Sequence, residues 1–378
     1  MPGSHTLVTA LRSLLRRPGQ SAVAFLVLAL GIGLTTAMFA VVDGFLLSQL
    51  PFERSDRLVH LERLGAEPGR RTTVGDFLDW RAGQGSFEDL AAFATSSVAL
   101  SDGERAERYP GARISAHAFG LLRVVPALGR SFADDDDRPG AALVILLGDA
   151  VWRGHFGADP AVVGRTVLVE GVPTTVVGVM PPGFAFPLRE NVWLPLRPER
   201  NAAAGGEVAT VDVFGRLRDG VTRERSAIET SLLARQLAAA EDGETAAMQV
   251  AVVPYTHAFM GGGGRDLSIR LGLAVGALVL LIACANVANL LLARFAGRRR
   301  EIALHAALGA GRRHAIARVL AEGLCLALPA GLAGLGLAAL GLRLLETSIA
   351  SAGQRDWPYW IELGLDGRTL LAAAILSL

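Results

Sequence analysis

Three apolar runs, at residues 20–47, 267–293 and 319–345, constrain this chain more than any other feature. Each exceeds the ~20 residues that a helix needs to cross a bilayer. Between the first two lies a long stretch of mixed charge with regular turn signals. Between the second and third lies a short segment, 294–318, crowded with Arg294, Arg298, Arg299, Arg300, Arg312, Arg313 and Arg318 and opposed by Glu301. Lys/Arg excess in short loops marks the cytoplasmic side. The pattern therefore predicts an N-terminus (1–19, with Arg12, Arg16 and Arg17 and no acid) and an arginine segment inside, and residues 51–255 outside. The first run is too long for the ~7–15-residue core of a signal peptide, so it reads as a retained anchor. Residues 368–378 begin a fourth run, shorter than a span needs, after an outer loop at 346–367. That is the expectation of a chain stopping partway through a fourth span.

The region 51–255 predicts strands at Arg57–Leu64, Ala141–Leu147, Thr166–Glu170, Thr174–Met180, Val211–Leu217 and Met248–Val253, from β-branched and alternating patterns. Gly171-Val172-Pro173 reads as the hairpin turn between the third and fourth. Helices are predicted at Val74–Arg81 and from a Thr222 cap through Ala240, the second with Ile228, Leu232, Leu233 and Leu237 on one face. Together these predict an α-helical membrane protein with an inserted α/β extracytoplasmic domain, a βαβ-type subdomain carrying a β-rich subdomain. A flexible stalk follows at 256–266, where Gly261–Gly264 cluster. Gly272 and Gly276, four apart, permit close helix contact in the second run. Pro329 predicts a kink in the third.

Function classes fall away in turn. Net charge is +1, so no concentrated basic surface exists for nucleic acid outside the segments that membrane orientation explains. The chain contains no lysine, which forbids a Gly-x-x-x-x-Gly-Lys-Ser/Thr phosphate loop; ATP can act only through a partner polypeptide. No Gly-x-Ser-x-Gly elbow is present, and no catalytic residue, cofactor or metal ligand is assigned. The two cysteines, Cys284 and Cys325, lie in apolar runs and read as small buried hydrophobes. Asp134–Asp137 lacks the spacing that lets several carboxylates share one cation, and reads as a solvated loop. His117, His155 and His257 lack metal-ligand spacing and read as surface or satisfied core histidines. Glu322 reads as reaching the interface near Arg318. Trp80, Trp152 and Trp193 read as core, and Trp357 and Trp360 as an interfacial belt.

Within the arginine segment, Glu301–Leu308 places Ile302, Ala306 and Gly309 on one helical face, with Leu304 and Leu308 on a neighbouring strip. A short basic-flanked apolar stripe either rests on lipid headgroups or docks into a partner's groove. The residues alone leave the two open.

Residues 285–323 resemble the FtsX-like permease domain, through Arg-Glu-Ile-Ala at Arg300–Ala303 and Leu-Gly-Ala at Leu308–Ala310. The outer region resembles the MacB-like periplasmic core domain, through Asp76–Arg81, Pro126–Phe132, Trp152–Asp159, Gly178–Phe186 and Val192–Leu196. Leu11–Gly33 with Ser55–Leu58 looks most like the duplicated orphan permease branch. The resemblance implies a type VII ABC transporter architecture in a bacterial inner membrane. Such a permease is non-catalytic and couples a cytoplasmic ABC ATPase to motion of its outer domain, in export or efflux. It also implies pairing as a homo- or pseudo-dimer with a second permease half. ATPase docking is then carried over to Arg299, Arg300, Glu301, Ile302, His305, Leu308, Gly309, Ala310 and Arg312. His305 departs from the arginine usual at its position, and the second half of the duplicated branch is absent, which is the expectation of a truncated or split gene. A membrane-anchored receptor or scaffold without an ATPase is the alternative.

Overall fold

The computed structural model describes residues 18–44, 49–64, 72–198, 203–204, 207–208, 210–241, 249–259, 312–351, 358–361, 364 and 367–376, with scattered positions between 271 and 288. The chain divides into two compact units: Gln49–Met260 with Asp356–Trp360, and the remainder.

The first unit is built on one long sheet. In chain order its elements are β1 (Leu58–Leu64), α1 (Val74–Gly83), β2 (Phe87–Ser101), β3 (Ala106–Ile114), α2 (Ala118–Leu122), β4 (Leu128–Gly129), β5 (Val144–Leu147), α3 (Asp149–Phe156), β6 (Thr166–Val169), β7 (Val172–Val179), β8 (Val192–Pro195), β9 (Ala203–Ala204), β10 (Glu207–Val208), β11 (Asp212–Leu217), α4 (Arg223–Glu241), β12 (Gln249–Pro254) and α5 (Tyr255–Ala258). The strand order is β12-β1-β11-β2-β3-β8-β5-β7-β4, with β6 bridging β2 and β7 and a separate β9/β10 ribbon. Antiparallel pairs dominate; β3–β8 and β5–β7 are parallel.

Two cores share this sheet. Val59, Leu61, Phe77, Trp80, Leu90, Val213, Ala234 and Val250 pack under α1 and α4. Val98, Leu100, Ile145, Leu147, Val151, Phe156 and Val176 pack against α3. The 15-residue β2 supplies Leu90 to the first and Val98 to the second, so the β-rich subdomain continues the sheet rather than forming a separate insertion. Thr73 starts α1 with a capping box: its hydroxyl accepts from the Asp76 amide at 3.0 Å, and Asp76 accepts from the Thr73 amide at 2.9 Å. This satisfies two of the helix's orphan donors.

Three local expectations are corrected. The β6–β7 hairpin turns at Glu170-Gly171, both at positive φ (48° and 80°), and Val172 and Pro173 belong to β7. A two-residue turn with left-handed residues matches strand twist better than the longer loop. On α4, Ile228 and Leu232 are 64% and 54% exposed, and the buried stripe runs through Ser226, Thr230 and Ala234. The Ser226 and Thr230 hydroxyls donate to carbonyls one turn back on the same helix, at 2.8 Å each, so burial leaves neither unsatisfied. The small stripe lets α4 approach α1 closely, with Leu233 over Gly83. Finally, the Asp134–Asp137 run is only half solvated. Asp136 is buried, taking Arg130 at 2.7 Å, and Asp137 accepts the Ala116 and Arg197 amides at 2.7 and 3.0 Å.

The second unit contains α6 (Pro18–Val42), α7 (Arg312–Ser351) and α8 (Gly367–Leu376). Among the described residues two helical stretches are long and apolar enough to cross a membrane, Ser21–Val42 and Gly323–Leu345. They pack through Ala24, Leu28, Ala29, Leu326 and Ala330, and touch backbone to backbone at Gly33 and Gly334. Helix α7 continues through Pro329. The Thr35 hydroxyl shares its one proton between the Gly31 and Gly276 carbonyls, at 2.8 and 3.0 Å. Gly276 therefore faces a helix contact, as the glycine spacing suggested; Gly272 lies outside the described residues, as do Gly261–Gly264, Cys284 and Trp357.

Candidate functional site

The sequence places its functional segment at 299–312. Arg299, Arg300, Glu301, Ile302, His305, Leu308, Gly309 and Ala310 lie outside the described residues, and Arg312 is the first residue of α7. Within the folded unit the structure instead brings together the ends of its own three chain segments.

The chain comes into this unit at Gln49, leaves it at Met260, and returns at Asp356–Trp360. Within this unit, residues near each of these three boundaries touch one short segment, Phe184–Glu190. At the incoming crossing, the Phe52 ring lies 5.9 Å from Phe186 and 6.0 Å from Phe184. At the outgoing crossing, Tyr255 stacks on Phe186 at 4.8 Å, and its hydroxyl donates to the Pro187 carbonyl at 3.2 Å. On return, the Tyr359 amide donates to the Leu188 carbonyl at 2.8 Å, and Trp360 packs on Tyr255 at 5.6 Å. The layer extends through Phe93, Phe119, Phe214 and Trp193 on the sheet face opposite α1 and α4. Strand alternation explains it: on β11, Val213 and Leu217 serve the first core while Phe214 and Arg216 face this layer.

Charged groups fasten the same crossings. Arg216 is fully buried; its guanidinium donates to the Leu121 carbonyl at 2.8 Å and to Glu53 and Arg54 carbonyls at 2.9 and 3.0 Å. Burial, with Arg123 and Arg57 nearby, lowers its pKa. A planar fork of donors can hold three carbonyls at once, which an ammonium cannot do in the same geometry. Arg57 pairs with Asp219 and Glu88 at 2.8 Å each and donates to the Leu217 carbonyl. The incoming chain is thus tied to β11 twice. Glu190 is 5% exposed, accepts the Leu188 and Arg189 amides at 2.6 and 2.9 Å, and is pushed by burial up to about 7. It raises the pKa of both Tyr255 and Tyr359, though burial dominates each shift. His60 is buried beside Phe259 at 5.1 Å, with Asp212 at 3.5 Å.

Of the residues singled out in sequence, Trp80 and Trp193 are core and Trp152 is partly buried. Trp360 is corrected: it is 5% exposed within the aromatic layer of the folded unit, not in an interfacial belt. Its neighbours are Tyr255, Phe259 and Tyr359, and rings pack on rings whenever such a surface is offered. His117 bonds the Leu90 carbonyl at 2.8 Å, His155 is buried against Tyr109 at 3.2 Å, and His257 is exposed. Among the described residues no group of three or more His, Cys, Asp or Glu could hold a metal ion. Sequence reasoning missed Arg216 and Glu190. Arg216 had a signal, a lone charge inside an apolar strand run; Glu190 had none.

The profile of the MacB-like periplasmic core domain matches residues 21–230, and that of the FtsX-like permease C-terminal matches 273–377. The chain belongs to the FtsX/MacB-like family of ABC transporter permeases. This permease is 28% identical over 358 residues to a macrolide export ATP-binding/permease protein MacB of Azoarcus sp. (strain BH72), covering 90% of this chain and 53% of that one. It is 30% identical over 241 residues to a pyoverdine export ATP-binding/permease protein PvdT of Pseudomonas syringae pv. tomato, covering 60% and 34%. The permease thus spans about half the length of the first relative and about a third of the second. The chain aligns with the periplasmic region of MacB from Actinobacillus actinomycetemcomitans at TM-score 0.42 and 15% identity, over 57% of this chain and 92% of that one. The extracellular domain of the YknZ transporter aligns at 0.40 and 17%, over 52% and 99%. Members of this family are inner-membrane proteins with a periplasmic domain.

Proposed function

We propose that this permease is a mechanical subunit of an ABC-type exporter, with no catalysis of its own. ATP binding in a separate cytoplasmic ATPase shifts the segment Arg299–Arg312. The apolar helices carry that shift across the bilayer, and the outer domain at 51–255 reorients. The type VII four-span architecture and a second permease half, in a homo- or pseudo-dimer, belong to the same reading.

One observation supports it above the rest. Three separated stretches of chain, each adjoining an apolar run, are clasped by a single segment, Phe184–Glu190. A scaffold needs one attachment; three on one aromatic layer suit a domain that is pulled and turned as a body. The relatives' names specify macrolide and pyoverdine export for those proteins; for this chain the shared proposal is export of a small molecule or peptide.

The test is co-purification of an ABC ATPase with the full chain from its native membrane. Arg300→Glu with Leu308→Asp places a carboxylate on each flank of the docking stripe. Recovery of the ATPase should fall at least tenfold while permease yield is unchanged. Undiminished recovery would remove the docking assignment.

A further inference from the structure

The returning loop is the least expected of the three attachments. Residues 352–358 separate Tyr359 from the end of α7 at Ser351, and 361–366 separate Trp360 from α8. At ~3.5 Å per residue, the eight steps from Ser351 to Tyr359 reach at most about 28 Å. Any larger displacement of the folded unit from the end of α7 must either pull on that helix or break the seat.

The seat has a mixed character. Tyr359 is held by its amide on the Leu188 carbonyl, and the Trp360 ring lies between Tyr255 and Phe259 at 5.6 and 6.5 Å. Yet the Trp360 indole N–H and the Tyr359 hydroxyl are both buried without a hydrogen-bond partner. Tyr255, in the same layer, has one. Buried donors left unpaired oppose the gain from ring packing and favour a state in which water reaches them.

We propose that Tyr359 and Trp360 form a detachable latch, a third attachment through which α7 and α8 act on the outer domain. This deepens the mechanical reading and rests on it. The latch holds the Phe184–Glu190 clasp when seated. Its release frees the outer domain from α7 and α8 while the Arg216 and Tyr255 attachments persist.

Hydrogen–deuterium exchange on the full chain in nanodiscs tests the seat without any ATPase. The Tyr359 amide should be protected. Trp360→Ala should speed exchange across 186–190 and 255–259 by at least about tenfold, with β5 and β7 unchanged. Trp360→Phe, which keeps a ring and removes the unpaired donor, should slow exchange over 356–361 by about threefold. A Tyr359 amide exchanging at the free-chain rate, or a Trp360→Phe variant that loosens the loop, overturns the latch. A Trp360→Ala variant that alters β5 and β7 as well would make the loop an ordinary part of the core, which also overturns it. With the co-purified ATPase present, nucleotide should change exchange at 255–259 in the parent and not in Trp360→Ala. Persistence of that change in the variant would sink transmission through the latch. Loss of ATPase co-purification bears only on the docking segment, so the two readings fail separately.

Discussion

Glu190 shows how a single buried residue sets conditions on the aromatic layer around it. Its carboxyl has a folded pKa of about 7 against an ordinary 4.5, because burial disfavours the charge more than the Leu188 and Arg189 amides stabilise it. A raised carboxylate pKa means that the folded state binds the proton more tightly. Stability is therefore full below about 4.5 and falls as pH rises toward 7. The lost amount is of order 3 kcal/mol, at 1.36 kcal/mol per pKa unit. Tyr255 and Tyr359 face the same carboxylate and stay neutral throughout, their pKa values raised chiefly by burial. Glu190→Gln should raise the thermal midpoint of the folded unit at pH 8, with the difference vanishing near pH 4.5. Equal midpoints at pH 8 would show that Glu190 is already hydrated. Arg216 has the opposite legibility: a lone arginine in an apolar strand announces a special environment, but not that three carbonyls from two other segments fill it.

Helix α4 separates what periodicity tells from what packing decides. Its length and Thr222 start were readable, and Thr222 does accept from the Arg225 amide at 3.3 Å. Its buried face was half legible: Leu237 packs on the first core and Leu233 lies over Gly83 as expected, but Ile228 and Leu232 face outward and Ser226, Thr230 and Ala234 are buried. Ile228→Gln should change stability by less than ~0.5 kcal/mol in denaturant unfolding. Ala234→Leu should cost about 1–3 kcal/mol by overpacking the first core. A reversed order would return Ile228 to the interior. The α6–α7 crossing follows the same logic in an apolar setting, where small residues permit helices to meet. A Cβ at Gly334 would sit 2.7 Å from the Ala29 carbonyl oxygen, and one at Gly33 2.8 Å from that of Gly334. Gly334→Val should lower the melting temperature of the detergent-solubilised chain, whereas Gly336→Ala, which meets nothing within 4 Å, should not. The sequence offered many glycines in this run and no means of choosing between them.

For the molecule as a whole, orientation is the property on which the mechanical reading depends. In a Cys284→Ser, Cys325→Ser background, a cysteine at position 150 should react with an impermeant maleimide added to spheroplasts. One at position 310 should react only after permeabilisation. The reverse pattern would place the arginine segment outside and remove any ATPase contact. The alternation of apolar and arginine-rich segments, six strands and two helices of the outer region, and the lack of a lysine-bearing phosphate loop were legible in residue order alone, whereas the long β2 and its partner β3 were not. Each legible feature depends on local spacing or on the presence of a side chain, so no folding was needed to see it. The tertiary structure decided that Phe52, Tyr255 and Trp360, separated by hundreds of residues or nearly so, converge on Phe184–Glu190. It also decided that Trp360 joins a protein core rather than a lipid interface. Contacts across such separations depend on which sheet face each ring reaches, and that is fixed by strand pairing, which no local pattern in the chain records.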